Sequence, residues 1–201
     1  MTRGRPALAL ALVCAAALAL AGCSRAEPAP PAPSTSCPET DAGTPVDAAL
    51  LAFLSSARAA HHLADAREEA GELPEAIAAL RRVVDGKVPG GATPRAEAGE
   101  VLADTRARLA DLESRRGEFD AADAELRAGL ALATGTSYFR GHLFEVRGLV
   151  EQRRAAALEQ SNASAAEVRA AKERAIAAFE QAMTIQNQVI GAAVPDGGGG
   201  R

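Results

Sequence analysis

The sequence predicts an all-α protein, and three features of its composition and patterning favour this fold class. Alanine, the strongest helix former, accounts for 50 of the 201 residues. Aromatic residues make up only 3% of the chain, which disfavours sandwiches and barrels because their strands rely on aromatic and β-branched side chains. No stretch of useful length alternates apolar and polar residues with the period of two that marks a half-buried strand.

Residues 1–22 have the features of a secretory signal peptide rather than of a folded element. Arg3 and Arg5 give a positively charged start, and an apolar run of 15 residues follows at positions 7–21. This run is shorter than the roughly 20 residues that a membrane-spanning helix needs. It leads into Leu-Ala-Gly-Cys at positions 20–23, which resembles the lipobox of bacterial lipoproteins. The resemblance implies cleavage before Cys23 and acylation of its thiol, and Ser24 favours an outer-membrane anchor that faces the periplasm.

The cysteines fit this interpretation. Cys14 lies in the signal, so Cys37 is the one cysteine left after Cys23 is acylated. We expect Cys37 to be a free thiol, and a disulfide to a second chain is the alternative. No second thiol or suitably spaced histidine lies near it, so we expect no metal site and no cofactor. An ordinary cleaved signal with an accidental cysteine is the alternative for Cys23.

A proline-rich tether follows at residues 23–44. Six of the eleven prolines of the chain lie between Pro28 and Pro45, and such segments are disordered or extended as polyproline II. At about 3.1 Å per residue the segment could reach roughly 65 Å. We expect it to hold the folded domain away from the lipid surface.

The domain at residues 45–190 contains six predicted helices. They are expected at residues 46–70, 74–86, 94–116, 118–134, 137–159 and 164–190. Thr44 before Pro45, and Thr93 before Pro94, each place a capping hydroxyl before a proline, as at the start of a helix. Ser164 begins a predicted capping box that Glu167 completes.

Glycines mark the expected helix ends. Gly71, Gly117 and Gly135 fall where three of the predicted helices stop, as glycines do when the chain leaves a helix in the left-handed conformation. The tail at residues 191–201 is rich in glycine, and we expect it to be flexible.

An internal repeat relates three parts of the domain. Residues 71–81 align without gaps with residues 117–127 at an offset of 46, and residues 173–179 echo residues 74–80 at an offset of 99. In the preceding helices, Ala64 and Ala110 are 46 residues apart, and Gly148 follows 38 residues later. Between the second and third copies, Ala122 and Ala175 are 53 residues apart.

These segments resemble the second helix of a tetratricopeptide repeat, which begins at a glycine turn and alternates small with large apolar residues. The matching residues are Gly71, Leu73, Ala76, Leu80 and Val83 in the first copy, Gly117, Phe119, Ala122, Leu126 and Gly129 in the second, and Ala175, Phe179 and Ala182 in the third. The resemblance implies three antiparallel helical hairpins stacked as a short solenoid. The family period is about 34 residues, so the longer spacings here imply insertions. A generic alanine-rich bundle or antiparallel coiled coil is the alternative.

The resemblance also implies a partner-binding groove lined by the first helix of each hairpin. The positions that match the groove are Arg58, His61, Asp65 and Glu68 in the first hairpin, Asp104, Asp111 and Arg115 in the second, and His142, Glu145, Gln152 and Arg153 in the third. Both charge signs are present, which suits a peptide or protein segment. The formal net charge of −4 gives no support for nucleic-acid binding, which favours a basic face. Solvated side chains on exposed helix faces are the alternative explanation.

No catalytic constellation is evident in the sequence. His61 and His62 are adjacent on a predicted helix, so they point about 100° apart and are poorly placed to share a metal. We therefore expect a non-enzymatic, lipid-anchored adaptor that binds an unidentified protein as a subunit of a cell-envelope complex. A self-associating structural bundle is the alternative, and an accessory factor or enzyme acting on cell-wall material is a third hypothesis.

Overall fold

The computed structural model describes residues 47–194, and these residues form six α-helices. The helices are α1 (Ala48–Glu69), α2 (Leu73–Val84), α3 (Ala96–Arg115), α4 (Phe119–Leu132), α5 (Tyr138–Gln160) and α6 (Ala165–Ala193). The described part contains no strand. The predicted fold class is confirmed, and all six predicted helices are present.

The start of α1 differs from the prediction. Asp47 is the N-cap, because its carboxylate accepts hydrogen bonds from the backbone N–H groups of Ala49 at 2.9 Å and Leu50 at 3.2 Å. The predicted cap at Thr44 is therefore wrong, since the helix begins at Ala48. A carboxylate is the stronger cap here because its negative charge also interacts favourably with the positive end of the helix dipole.

The start of α3 also differs. Thr93 was expected to cap this helix, but its N–H donates to the carbonyl of Gly90 at 3.2 Å, which places it in the preceding turn. Gly90 and Gly91 have φ values of 90° and 60°, so they supply the left-handed conformations of that turn. The helix begins two residues after Pro94, with Arg95 as an N-cap that forms no side-chain capping bond.

Two of the three predicted glycine stops are confirmed. Gly71 and Gly117 have φ values of 77° and 82°, and each lies at the end of a helix in the hydrogen-bond pattern of a Schellman motif. The prediction for Gly135 is wrong, because α4 ends earlier, at Leu132. There the guanidinium of Arg140 donates to the carbonyl of Ala133 at 2.8 Å, so a distant side chain satisfies the helix end.

The boundaries of α6 show one confirmed prediction and one difference. Ser164 and Glu167 form the predicted capping box, with each side chain bonded to the backbone of the other. The helix then continues to Ala193, so residues 191–193 of the expected tail are helical.

The helices pair as three antiparallel hairpins, α1 with α2, α3 with α4, and α5 with α6. The first helices also contact one another in the order α1, α3, α5. Small residues lie where the paired helices meet: Ala64 and Ala110 are fully buried, and Gly148 is buried against Phe179. A Cβ atom added to Gly148 would lie 2.5 Å from the Phe179 ring, so the close approach of α5 and α6 depends on glycine there.

The core consists of three clusters that follow the hairpins. The largest, between α3, α4 and α5, contains eight buried residues, of which four are alanines. Leu80 and Leu126, at equivalent positions in the repeat, are buried in neighbouring clusters. Alanine buries less apolar area than leucine or phenylalanine, so each helix gains its stability from close backbone approach as well as from side-chain volume.

Candidate functional site

The predicted groove residues lie on α1, α3 and α5, the three first helices. We call this set the polar ribbon: Arg58, His61, Asp65, Glu68, Asp104, Asp111, Arg115, His142, Glu145, Gln152 and Arg153. On α3 the ribbon positions are separated by seven and four residues, which places them on one side of the helix. Because the three helices contact one another in sequence, many of these side chains meet side chains of the neighbouring helix.

Ion pairs join α1 to α3 across the ribbon. The guanidinium of Arg108 contacts the carboxylates of both Asp65 and Glu68. Glu68 also accepts from the Nη1 of Arg115 at 2.6 Å. Two carboxylates of α1 are thus shared by two arginines of α3, and about a fifth of the Glu68 side chain is exposed. Pairs that are partly shielded from water in this way are stronger than fully exposed ones.

A second set of polar contacts joins α3 to α5. Arg153 donates from Nη1 to the Oδ1 of Asp111 at 2.7 Å and lies at the same distance from the Oγ of Ser114. Near the other end of the two helices, the Nε2 of His142 lies 3.9 Å from the Oδ1 of Asp104. The ribbon therefore ties each hairpin to the next through its own charges.

His61 makes the remaining contact between α1 and α3. Its Nε2 lies 2.9 Å from the Oγ1 of Thr105, and that hydroxyl donates to the carbonyl of Val101 at 2.7 Å. Because the hydroxyl proton is used for the carbonyl, the histidine must be the donor, with its proton on Nε2. Burial lowers the pKa of His61 below its ordinary value of 6.5, and the carboxylate of Asp104 partly opposes this shift.

The remaining members of the ribbon are open to solvent. Arg58 and Gln152 are exposed, and neither makes a side-chain hydrogen bond or ion pair within residues 47–194. Glu145 contacts the Nδ1 of His142 at 3.4 Å. Tyr138 is 53% exposed and stacks on the His142 ring with a centroid separation of 6.0 Å. These side chains are available to a partner without breaking a contact between helices, except for the bridge of His142 to Asp104.

Sequence reasoning missed four residues that the ribbon uses: Thr105, Arg108, Ser114 and Tyr138. Arg108 had a detectable signal, because Asp104, Arg108, Asp111 and Arg115 follow one another at spacings of four, three and four residues. Thr105 and Ser114 had none, since a hydroxyl buried in a helix becomes informative only when its partner on another helix is known.

The ribbon carries five carboxylates and four arginines, including Arg108, besides its two histidines. Because most of these charges are paired with each other, its electrostatic field is that of a nearly neutral surface. The ribbon can hydrogen-bond to an extended peptide, but attraction of a strongly charged ligand is not favoured here.

No metal centre or membrane-crossing helix accompanies the ribbon in the described part of the chain. Residues 47–194 contain no group of three or more potential metal ligands that could hold an ion. None of their helices combines the length and apolar character needed to span a bilayer. Cys23, Cys37 and the proline-rich tether lie outside the described residues, so the predictions made for them stay predictions.

Comparison with known protein families, with curated proteins and with solved structures found no match to this chain.

Proposed function

We propose that this protein is a lipid-anchored, non-catalytic adaptor that binds another protein through the polar ribbon. The lipobox resemblance places the anchor at Cys23 and the folded domain on the periplasmic side of the outer membrane. The tether gives the domain a reach of roughly 65 Å from the membrane. In this role the protein would be one subunit of a larger cell-envelope complex.

The observation that carries the proposal is the side-by-side placement of α1, α3 and α5. Internal ion pairs hold these helices in register, and open polar side chains project from the surface so formed, namely Arg58, Tyr138, Glu145 and Gln152. A rigid array of helices with an exposed aromatic ring and unpaired polar groups is suited to an extended segment of a partner, since little ordering of the surface is needed on binding.

The binding face can be tested by capture of partners on the full chain. We expect Arg58→Glu and Tyr138→Ala, each at an exposed site, to reduce recovery of any specific partner at least tenfold, about 1.4 kcal/mol, while helicity by circular dichroism is unchanged. The matched control is Arg169→Glu, which makes the same charge reversal at an exposed position of α6. Equal loss with the control, or no loss with either ribbon variant, would contradict the ribbon as the binding face.

The anchor is tested separately by membrane fractionation. We expect Cys23→Ala to move the protein from the membrane to the soluble fraction, because the acyl chains supply the attachment energy at about 0.8 kcal/mol per buried methylene. Cys37→Ala is the matched control, and it should leave the protein with the membrane. Retention of the Cys23 variant would contradict the lipobox interpretation.

A second candidate function, self-association, is favoured by one observation on α6. Ile176, Met183 and Ile190 are each more than half exposed, and they recur every seven residues. An antiparallel pairing of two α6 helices about Met183 would place Ile176 of one copy against Ile190 of the other. The same pairing sets Glu180 opposite Gln186, so it brings no like charges together.

Sedimentation measurements separate the two candidates. If self-association is the function, Met183→Glu should convert a dimer to a monomer because it buries an unpaired charge at the centre of the pairing. Gln188→Glu adds the same charge on another face of α6 and should leave the dimer intact. A wild-type protein that is monomeric at every accessible concentration would rule out this second candidate.

A further inference from the structure

A cleft lined by arginines lies between α4, α5 and α6. We call it the arginine cleft, and its cavity of about 290 Å³ is lined by Asp123, Leu126, Arg127, Leu130, Arg147, Glu151, Arg154 and Arg174. A second cavity of about 300 Å³ shares Arg147 and Arg174 with it and continues past Phe144, Ala177, Ala178 and Gln181. The two cavities together form an elongated site with arginines near its middle and apolar side chains at both ends.

This cleft and the polar ribbon lie on different sides of α5. Arg147 follows His142 by five residues, which corresponds to about 140° around the helix axis. Helices α4 and α6 both pack on α5, and the stripe formed by Phe144, Arg147, Glu151 and Arg154 faces the space between them. A ligand in the cleft would therefore leave the ribbon free.

The arginines of the cleft outnumber its carboxylates by four to two. Arg154 pairs with Asp123 at 2.6 Å, and Arg174 pairs with Glu151 at 2.9 Å. Arg127 and Arg147 are exposed and make no ion pair with any residue between 47 and 194. Two positive charges thus remain uncompensated in a cavity whose walls are partly apolar, within a domain whose overall charge is negative.

The internal repeat shows how the equivalent junction of the first two hairpins is neutralised. There Arg81 of α2 donates to Glu125 of α4 at 2.7 Å and to Glu113 of α3 at 3.2 Å. Both glutamates are buried, at 4% and 6% exposure. The carboxylate of Glu125 also accepts from Arg106 at 2.7 Å, so one acidic side chain from the later helix satisfies two arginines.

The second junction keeps this arrangement except for that carboxylate. With the offsets of 46, 38 and 53 residues between the copies, Arg127 corresponds to Arg81, Glu151 to Glu113, and Arg154 to Arg116. The residue that corresponds to Glu125 is Ala178, which lines the second cavity beside Arg147 and Arg174. The chain therefore supplies the arginine of this junction but not its buried acidic partner.

We propose that the arginine cleft binds an acidic peptide segment of a partner protein, with one carboxylate bound by Arg127 and Arg147. Arginine binds carboxylates through paired, charge-assisted hydrogen bonds, which gives the recognition its geometry as well as its strength. The neighbouring apolar walls, at Leu130 on one side and Phe144 on the other, suit an apolar residue adjacent to the acidic one. This site is separate from the ribbon, so either can fail without the other.

The test uses the full chain and a fluorescein-labelled peptide of alternating glutamate and leucine, with binding followed by fluorescence anisotropy. We expect Arg127→Gln combined with Arg147→Gln to weaken binding at least tenfold, about 1.4 kcal/mol, because both side chains are exposed and their loss leaves the fold intact. The control is Arg169→Gln, which removes an equivalent exposed charge from α6 and should change binding less than about twofold. A peptide with glutamine in place of glutamate should bind at least tenfold more weakly.

A gain of internal charge provides the second variant. Ala178→Glu restores the acidic side chain of the first junction, so it should pair with the cleft arginines and weaken peptide binding at least tenfold. If circular dichroism shows that this variant does not fold, the double glutamine variant decides alone. Unchanged binding by a folded Ala178→Glu protein, by the double glutamine variant, or with the glutamine peptide would overturn the proposal. Binding of phosphatidylglycerol vesicles or inorganic phosphate through these arginines, without peptide binding, would overturn it in favour of another anion.

Discussion

Buried charge is the feature that most distinguishes individual residues in this protein. Glu113, Glu125 and Glu151 are each less than 10% exposed, and each accepts from arginines of at least two positions. A carboxylate in such a place is held by its partners, because an unpaired charge away from water would be costly. Each of the three glutamates therefore connects helices that apolar contacts bring together.

We expect Glu125→Gln to lower the free energy of unfolding by about 2 kcal/mol. Breaking a buried pair by removing one partner typically costs about 3–5 kcal/mol, and the partial exposure of Arg81 and Arg106 reduces that figure. The measurement is urea-induced unfolding. The control is Glu72→Gln, whose ion pair with Arg67 is over 40% exposed on both sides and should contribute no more than about 0.5 kcal/mol. Equal effects of the two variants would contradict a structural role for Glu125.

His61 predicts a dependence of stability on pH. Burial lowers its pKa in the folded protein below the ordinary value of 6.5, so the unfolded chain takes up the proton first as the pH falls through that value. The folded state therefore loses stability as the pH falls from above the unfolded pKa toward the lower folded pKa. His61→Gln removes this titration and keeps a donor for Thr105.

The check is the free energy of unfolding between about pH 7.5 and pH 5.5, a range that spans the ordinary histidine pKa. The decrease should be smaller for His61→Gln than for the wild type. His62→Gln changes the exposed neighbouring histidine and should follow the wild-type profile. If both variants lose the same part of the pH dependence, the effect does not arise from the burial of His61.

At the scale of single elements, the helix ends follow short-range rules wherever neighbouring residues alone satisfy them. The capping box at Ser164 and Glu167 lies within four residues, and the left-handed glycines at positions 71 and 117 close their helices through bonds spanning six residues or fewer. Where a distant side chain takes part, as Arg140 does at the end of α4, the local rule places the boundary incorrectly.

Two glycine substitutions should change stability in opposite directions. Gly117 has a φ of 82° and open space around its Cβ direction, so Gly117→Ala adds strain without adding contacts and should cost about 1 kcal/mol. Gly99 lies inside α3 with no neighbour within 4 Å of an added Cβ. Gly99→Ala should therefore stabilise the protein by about 0.5–1 kcal/mol. Thermal unfolding of the two variants measures both effects, and a shift of the same sign for both would contradict the conformational explanation.

At the scale of the whole described domain, α3 is the central element. It contacts α1, α2, α4 and α5, whereas α6 contacts α5 alone among the described helices. Ten of the 20 residues of α3 are buried, and they contribute to all three core clusters. In an array of hairpins, each of which contacts its neighbours only, the ends can open while the centre stays folded.

This arrangement predicts a gradient of hydrogen exchange. Backbone amides in the middle of α3 should exchange only through unfolding of the whole domain, and those in the last turns of α6 should exchange faster by local opening. Native-state exchange in low concentrations of urea measures both. Protection in the last turns of α6 equal to that of α3 would indicate that a second copy or another part of the chain covers this helix.

The sequence by itself determined the fold class, the six helices, two of the three glycine stops and the small residues at the hairpin crossings, such as Ala64 and Gly148. These features depend on backbone conformation and on hydrogen bonds between residues a few positions apart, or on side-chain size in a repeated pattern. It also identified a row of polar positions on the first helices. Partner binding by that row, and the lipid anchor at Cys23, are predictions for experiment.

Only the tertiary structure decided what the charged side chains contact. Arg108 lies 40 residues from Glu68 and 43 from Asp65, and it meets both because α1 and α3 pack side by side. Arg127 and Arg147 line one cleft because α4 and α6 both pack on α5 without contacting each other. The physical reason is that a Coulomb interaction depends on the distance and shielding between charges. Packing of the helices sets both, and no local pattern in the sequence specifies them.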